Sequence, residues 1–183
     1  MALIDIIKVR KSVRKFTGSP LPRELVEKCI EAARLAPSAD NVQPWRFIVL
    51  DDPEYKKQFC ESVLTGLFRR TRFIEKAPVI VVLAARTSLL VHRIGKRVVK
   101  TDVQLIDIGI AGEHLVLQAQ ELGIGTCWIN MFNPKRAKRV LDLPSNLRVI
   151  SLIAMGYPAE GATKNRRDLP LDAILFYNDE RVK

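Results

Sequence analysis

Ser38, Asn41 and Gln43 bring one hydroxyl and two carboxamides into a short loop framed by Pro37 and Pro44. A carboxamide both donates and accepts hydrogen bonds, so this set can read the edge of a flat heterocycle bearing N–H and C=O groups. The two prolines restrict the residues before them to extended geometry and fix the path of the loop. An ordinary helix-to-strand turn with polar groups capping the backbone uses the same residue types. A second set lies earlier, where Arg10, Ser12 and Arg14 alternate with other residues in a segment that reads as extended. In a strand all three point to one face, where two guanidiniums and a hydroxyl converge on an anion. The competing reading is an edge strand charged against aggregation. A third set, Lys164, Arg166 and Arg167, forms another basic cluster near the C-terminal end. The chain has no P-loop, no GxGxxG, no GxSxG and no HExxH. What remains suits a phosphorylated, ring-bearing cofactor that carries the chemistry itself.

The elements that must position these groups follow from hydrophobic period and end signals. Residues 2–9 read as a short helix with one apolar side. Residues 22–35 form an amphipathic helix with Leu25, Val26, Cys29, Ile30 and Ala33 on its dry face. The run Trp45–Leu50 reads as a buried strand. Asp52-Pro53 opens a helix that carries Tyr55, Phe59, Val63, Leu64, Leu67 and Phe68 on one face. Residues 77–85 form a second buried strand, residues 126–130 a third and residues 148–155 a fourth. Asn133-Pro134 is the N-cap and first residue of a helix to Leu141. Residues 100–122 form the longest helix, apolar around nearly its whole circumference, with Gly123 as its C-terminal cap. A helix of that pattern must be buried on all sides, which in a small chain calls for a second subunit over part of it. Residues 86–100 mix basic and apolar residues without period and read as a surface segment or short helix bordering a site or a partner.

The 183 residues, 48% of them hydrophobic and 27% charged, suit one domain spanning 1–183. Thirty basic against twenty acidic residues give a net charge of +10, compatible with phosphate-bearing ligands, nucleic acid or a membrane surface. The basic residues are not interleaved with stacking aromatics, which argues against nucleic acid as a partner. No apolar run is long enough to span a membrane. Cys29, Cys60 and Cys127 show no metal-ligand spacing, and their odd number without a leader-like segment fits the reducing cytoplasm. His92 and His114 are too few and too far apart for a metal site.

Three stretches together resemble one known family. They are Arg10-Lys11-Ser12-Val13-Arg14-Lys15-Phe16, the run from Ala36 to Trp45, and Gly123-Ile124-Gly125-Thr126-Cys127-Trp128-Ile129. In order and spacing, over essentially the whole chain, they are similar to the nitroreductase-like FMN-dependent oxidoreductases. The tail Gly156-Tyr157-Pro158, followed by bases and Leu169-Pro170-Leu171, resembles that family's C-terminal end.

The resemblance implies an α+β fold, a central mainly antiparallel sheet flanked by helices, in an intertwined homodimer with FMN at the interface. It implies that Arg10, Lys11 and Ser12, with a base among Lys164, Arg166 and Arg167, hold the phosphate region, and that Arg14 lies near the flavin N1/C2=O edge. Pro37, Ser38, Asn41 and Gln43 would approach the ring and ribityl chain, and Cys127, Trp128, Ile129 and Asn130 would run past the ring face and N5. NADH or NADPH would supply hydride and a small oxidant would receive it, with no side-chain acid or base required. A non-catalytic flavin-binding protein, or a basic nucleic-acid-binding protein, is the alternative. Asn130-Met131 departs from the family pattern, in which a small residue is common there, and Asp168 sits beside the tail bases.

Overall fold

Four apolar runs become strands in the structure, a computed structural model that describes residues 2–87, 102–163 and 168–177. Strands β1 (Trp45–Leu50), β2 (Val79–Arg86), β3 (Gly125–Ile129) and β4 (Leu147–Gly156) pair antiparallel in the order β1-β2-β4-β3. The central strands show why their sequences lack polar alternation. Ile80 and Val82 of β2 face one apolar core while Val79, Val81, Leu83 and Ala85 face another. Both faces of the sheet are covered, so both sets of side chains must be apolar. An irregularity between Leu83 and Ala84 shifts the register against β4, pairing Leu83 with Ser151 and Ala84 with Val149.

Among the described residues, five helices supply the cover. They are α1 (Leu3–Val9), α2 (Arg23–Arg34), α3 (Pro53–Val63), α4 (Val103–Glu121) and α5 (Pro134–Val140). Phe59, Cys60 and Val63 of α3 and Ala137 of α5 enter one core. Val26, Cys29 and Ala33 of α2, with Ile108, Ala111, Leu115 and Ala119 of α4, fill the other. Helix α3 starts as its sequence directs: the Asp52 carboxylate accepts the Tyr55 N–H at 2.8 Å, and Pro53 occupies the first turn. Asn133 does the same for α5 through the Arg136 N–H. Helix α4 ends at Gly123, whose φ of 73° lets the Ile124 N–H reach the Ala119 carbonyl at 2.8 Å. The α+β architecture, a mainly antiparallel sheet between helices, matches the expectation.

Some expectations need correction. The apolar face beginning at Tyr55 does not continue through Leu67 and Phe68, because α3 stops at Val63 and a 3₁₀ segment runs from Gly66 to Lys76. Leu64 leaves helical geometry, Gly66 turns with φ 57°, and Leu67 is left 85% exposed. Strand β1 is only half buried, since it lies at a sheet edge with β2 as its one partner. One chain alone is not expected to cover the apolar circumference of α4, and Leu105 and Ile106 stand 40% and 52% exposed. Most of residues 86–100, with His92, lies outside the described residues.

Candidate functional site

Residues 10–16 are extended but form no continuous strand. They lie along the free edge of β3, with a parallel bridge from Ser12 to Thr126 and an antiparallel one from Phe16 to Pro158. The Val13 N–H donates to the Thr126 carbonyl at 2.8 Å, and the Arg14 N–H to that of Ala162 at 3.1 Å. The close approach depends on Gly125, where a Cβ would stand 2.6 Å from Val13 Cγ2. Val13 and Phe16 are buried against the sheet, which anchors the polar residues between them. Arg10 is half buried, with Nε 3.8 Å from a Glu113 carboxylate oxygen of α4. Arg14 is exposed, its guanidinium 3.4 Å from the Ser12 carbonyl. Lys11 turns the other way and, with Lys8, lines a cleft of about 370 Å³ against Gln120, Pro158 and Thr163. A chain edge this rich in cations and N–H donors has the chemistry to hold a phosphate group.

The loop after α2 carries backbone strain. Asp40, Asn41 and Gln43 have φ of 48°, 53° and 48°, three of the four non-glycine residues in the left-handed region among the described residues. Gln43 is a departure from expectation, because a residue before proline favours extended geometry. Hydrogen bonds hold it there. The Ser38 hydroxyl accepts the Gln43 N–H at 2.9 Å, and the Gln43 amide donates to Asn41 Oδ1 at 2.9 Å. The buried Asp107 carboxylate of α4 accepts the Ala39 N–H at 3.1 Å. Such clustered strain persists where surrounding contacts over-determine it, and it concentrates at ligand-binding loops. Pro37 and Asn41 remain exposed beside it.

At β3, Cys127 and Ile129 are buried while Trp128 is half buried. The Trp128 ring fills the space left by Gly112 of α4, where a Cβ would fall 2.2 Å from Cη2. Asn130, just past the strand, is held by the Ser151 hydroxyl, which donates to its Oδ1 at 2.8 Å. Burial pushes the Cys127 thiol up, and the nearby Arg14 only partly opposes this. Burial likewise raises Cys29 to about 11 and, as the main cause, Cys60 to about 12. Thiolate is the reactive form, so all three cysteines are expected to resist a thiol reagent at pH 8 in the native protein. Fast labelling of one before denaturation, read by mass spectrometry, contradicts this packing.

These pieces do not meet within one chain. Residues 10–16 flank β3, while the Ser38–Gln43 loop leads into β1 at the opposite edge. Four strand spacings, about 19 Å, separate the two edges. Lys164, Arg166 and Arg167 lie outside the described residues. The sequence reading missed Asp107, Gly112 and Glu113, each of which braces the candidate site from α4. Two acids within a strongly apolar helix were the available signal.

The family model for the nitroreductase family matches residues 7–157. The chain belongs to the nitroreductase family. A putative NADH dehydrogenase/NAD(P)H nitroreductase of Archaeoglobus fulgidus is 31% identical, the match covering 98% of this chain and 95% of that one. The structure of an FMN-dependent nitroreductase from Clostridium difficile R20291 aligns with a TM-score of 0.76 at 32% identity, over 96% of this chain and 99% of that one. Iodotyrosine deiodinase 1 of Rattus norvegicus is 28% identical, over 87% of this chain and 63% of its own length. Membership makes this nitroreductase-family chain an oxidoreductase by class. Among the described residues no helix is long and apolar enough to cross a membrane.

Proposed function

We propose that this nitroreductase-family protein is an FMN-dependent oxidoreductase that uses NADH or NADPH to reduce a small oxidant by a ping-pong cycle. When bound, FMN supplies the centre that accepts hydride at N5 and passes it on to a nitroaromatic, a quinone or a similar molecule. The likeness to the rat deiodinase adds halogenated aromatics to the candidate oxidants. The residues present fit this cofactor. Arg10 and Ser12 offer charge-assisted donors to the phosphate, joined by a base from 164–167, while Lys11 faces the neighbouring cleft. Arg14 stabilises negative charge developing at the N1/C2=O edge on reduction, where a preorganised cation acts strongly. Ser38, Asn41 and Gln43 read the ring edge and ribityl chain, and the backbone of Cys127 to Asn130 passes the ring.

The observation that carries this reading is the pair of half-sites at opposite edges of one sheet. A second copy related by a two-fold axis brings the loop of one chain to the edge segment of the other, and this makes the protein a homodimer with two shared sites. The uncovered side chains of Ile106 on α4 and of Leu3, Ile4 and Ile7 on α1 support such an interface. The three free cysteines suit a reducing cytoplasm. Mixing tests the shared site. Arg14→Ala and Asn41→Ala/Gln43→Ala proteins, each inactive alone, are expected on unfolding and co-refolding to regain about a quarter of wild-type turnover, because random pairing restores one site in each mixed dimer. No recovery despite demonstrated mixed dimers argues for half-sites that act within one chain.

A further inference from the structure

Asn130 borders a cleft of about 540 Å³ on the far side of the β3 end from the cation-rich edge, a volume typical of small-molecule sites. Its walls are apolar, from Leu105 of α4, Phe132, and Val149 and Ile150 of β4. Its polar lining has one sign of charge. Lys135, Lys138 and Arg148 border it, and no carboxylate does among the described residues. The three cations are not equivalent. Lys138 is committed to the Ser145 and Leu147 carbonyls at 2.8 and 2.7 Å. Arg148 shares its charge with Asp102 at 2.8 Å. Lys135 is exposed and forms no ion pair among the described residues, so its ammonium is the cation most open to a ligand. Asn130 adds a directed donor. Its Oδ1 is occupied by the hydroxyl of the buried Ser151, and the two N–H bonds of its amide remain for another acceptor.

We propose that this cleft seats the electron acceptor and selects flat, apolar molecules that carry a negative charge, such as aromatic carboxylates. The apolar walls take the ring, the Asn130 amide donates to a polar substituent, and Lys135 with Arg148 attracts the acid group. Asn130 thus acts as a positioning group for the acceptor. The assignment of the bound molecule as an acceptor rests on the oxidoreductase reading above. Binding itself does not.

The test pairs 4-nitrobenzoate with 4-nitrobenzamide, which match in shape and nitro group and differ by one charge. Calorimetric titration uses the protein as purified and again after addition of FMN. The carboxylate is expected to bind about tenfold more tightly than the amide at low salt, with the gap closing as salt screens it. Lys135→Gln is expected to shrink the gap and Lys135→Glu to abolish it. Lys28→Gln, on the distant α2, is expected to leave it intact, which separates the cleft from the general field of a +10 protein. Equal or absent binding of the pair, or a gap that survives Lys135→Glu, overturns the proposal. Turnover of the same compounds with NADH and NADPH is read separately. Charge-selective binding without nicotinamide-dependent reduction keeps the cleft and sinks the oxidoreductase reading, and reduction without charge selectivity does the reverse.

Discussion

Gly112→Val is expected to lower stability by roughly 3 kcal/mol, at the upper end of what overpacking a well-filled core costs. The added Cβ alone would lie 2.2 and 2.6 Å from Trp128 Cη2 and Cζ2 and 2.9 Å from Leu83 Cδ2. The two further methyls of valine have no space either, because Leu83 is fully buried in the central strand. Trp128 must therefore move, and with it the β3 segment from Cys127 to Asn130. A folded remnant would bind FMN poorly as well as being unstable. Gly109, in the same helix, meets nothing within 4 Å, so Gly109→Ala is expected to be neutral or mildly stabilising. Urea midpoints at unchanged m-value measure both. Equal midpoints for wild type and Gly112→Val would mean that Trp128 does not occupy this position.

Asp107→Ala is expected to weaken FMN binding at least about tenfold, with a stability loss of about 1–3 kcal/mol from leaving a partly buried N–H without its acceptor. The reason lies in the loop it braces. Asp40, Asn41 and Gln43 hold left-handed backbone, kept there by bonds within the loop (Gln43 to Ser38 and Asn41, the Asn41 N–H to the Ser38 carbonyl, the Val42 N–H to the Ala39 carbonyl), and Asp107 ties Ala39 to α4. Once the link to α4 is lost the loop relaxes, and the polar groups that should meet the ring scatter. Asp107→Asn keeps an oxygen acceptor and is expected to retain most of the affinity. Flavin fluorescence titration decides this, and wild-type affinity in Asp107→Ala would show that the loop needs no brace from α4.

Much of the fold was readable because it is set by local chemistry. Asp52 and Asn133 each cap the helix they begin, Gly123 closes α4, and continuous β-branched runs mark strands buried on both faces. What could not be read depends on neighbours distant in the chain. The half-burial of β1 follows from its place at a sheet edge, which no feature of Trp45–Leu50 encodes. The break after Val63 is a choice between two helical geometries in a stretch where side-chain pattern suits both. At the site, the cationic edge and the polar loop were legible from residue type and spacing. Their bracing by Asp107, Glu113 and Gly112 was not, because helical period registers an acid or a glycine only as a gap in an apolar face. The left-handed Gln43 ran against the local rule for a residue before proline, and it is explained only by the hydrogen bonds of the folded loop.

The visible spectrum of the purified protein, before and after anaerobic addition of NADH or NADPH, tests the central claim most directly. A flavin spectrum, present on purification or after adding FMN, that bleaches with one of the nicotinamides is the result expected, and it also reveals the preferred donor. A colourless protein that takes up no added FMN would contradict the account and return the +10 charge to the search for another ligand.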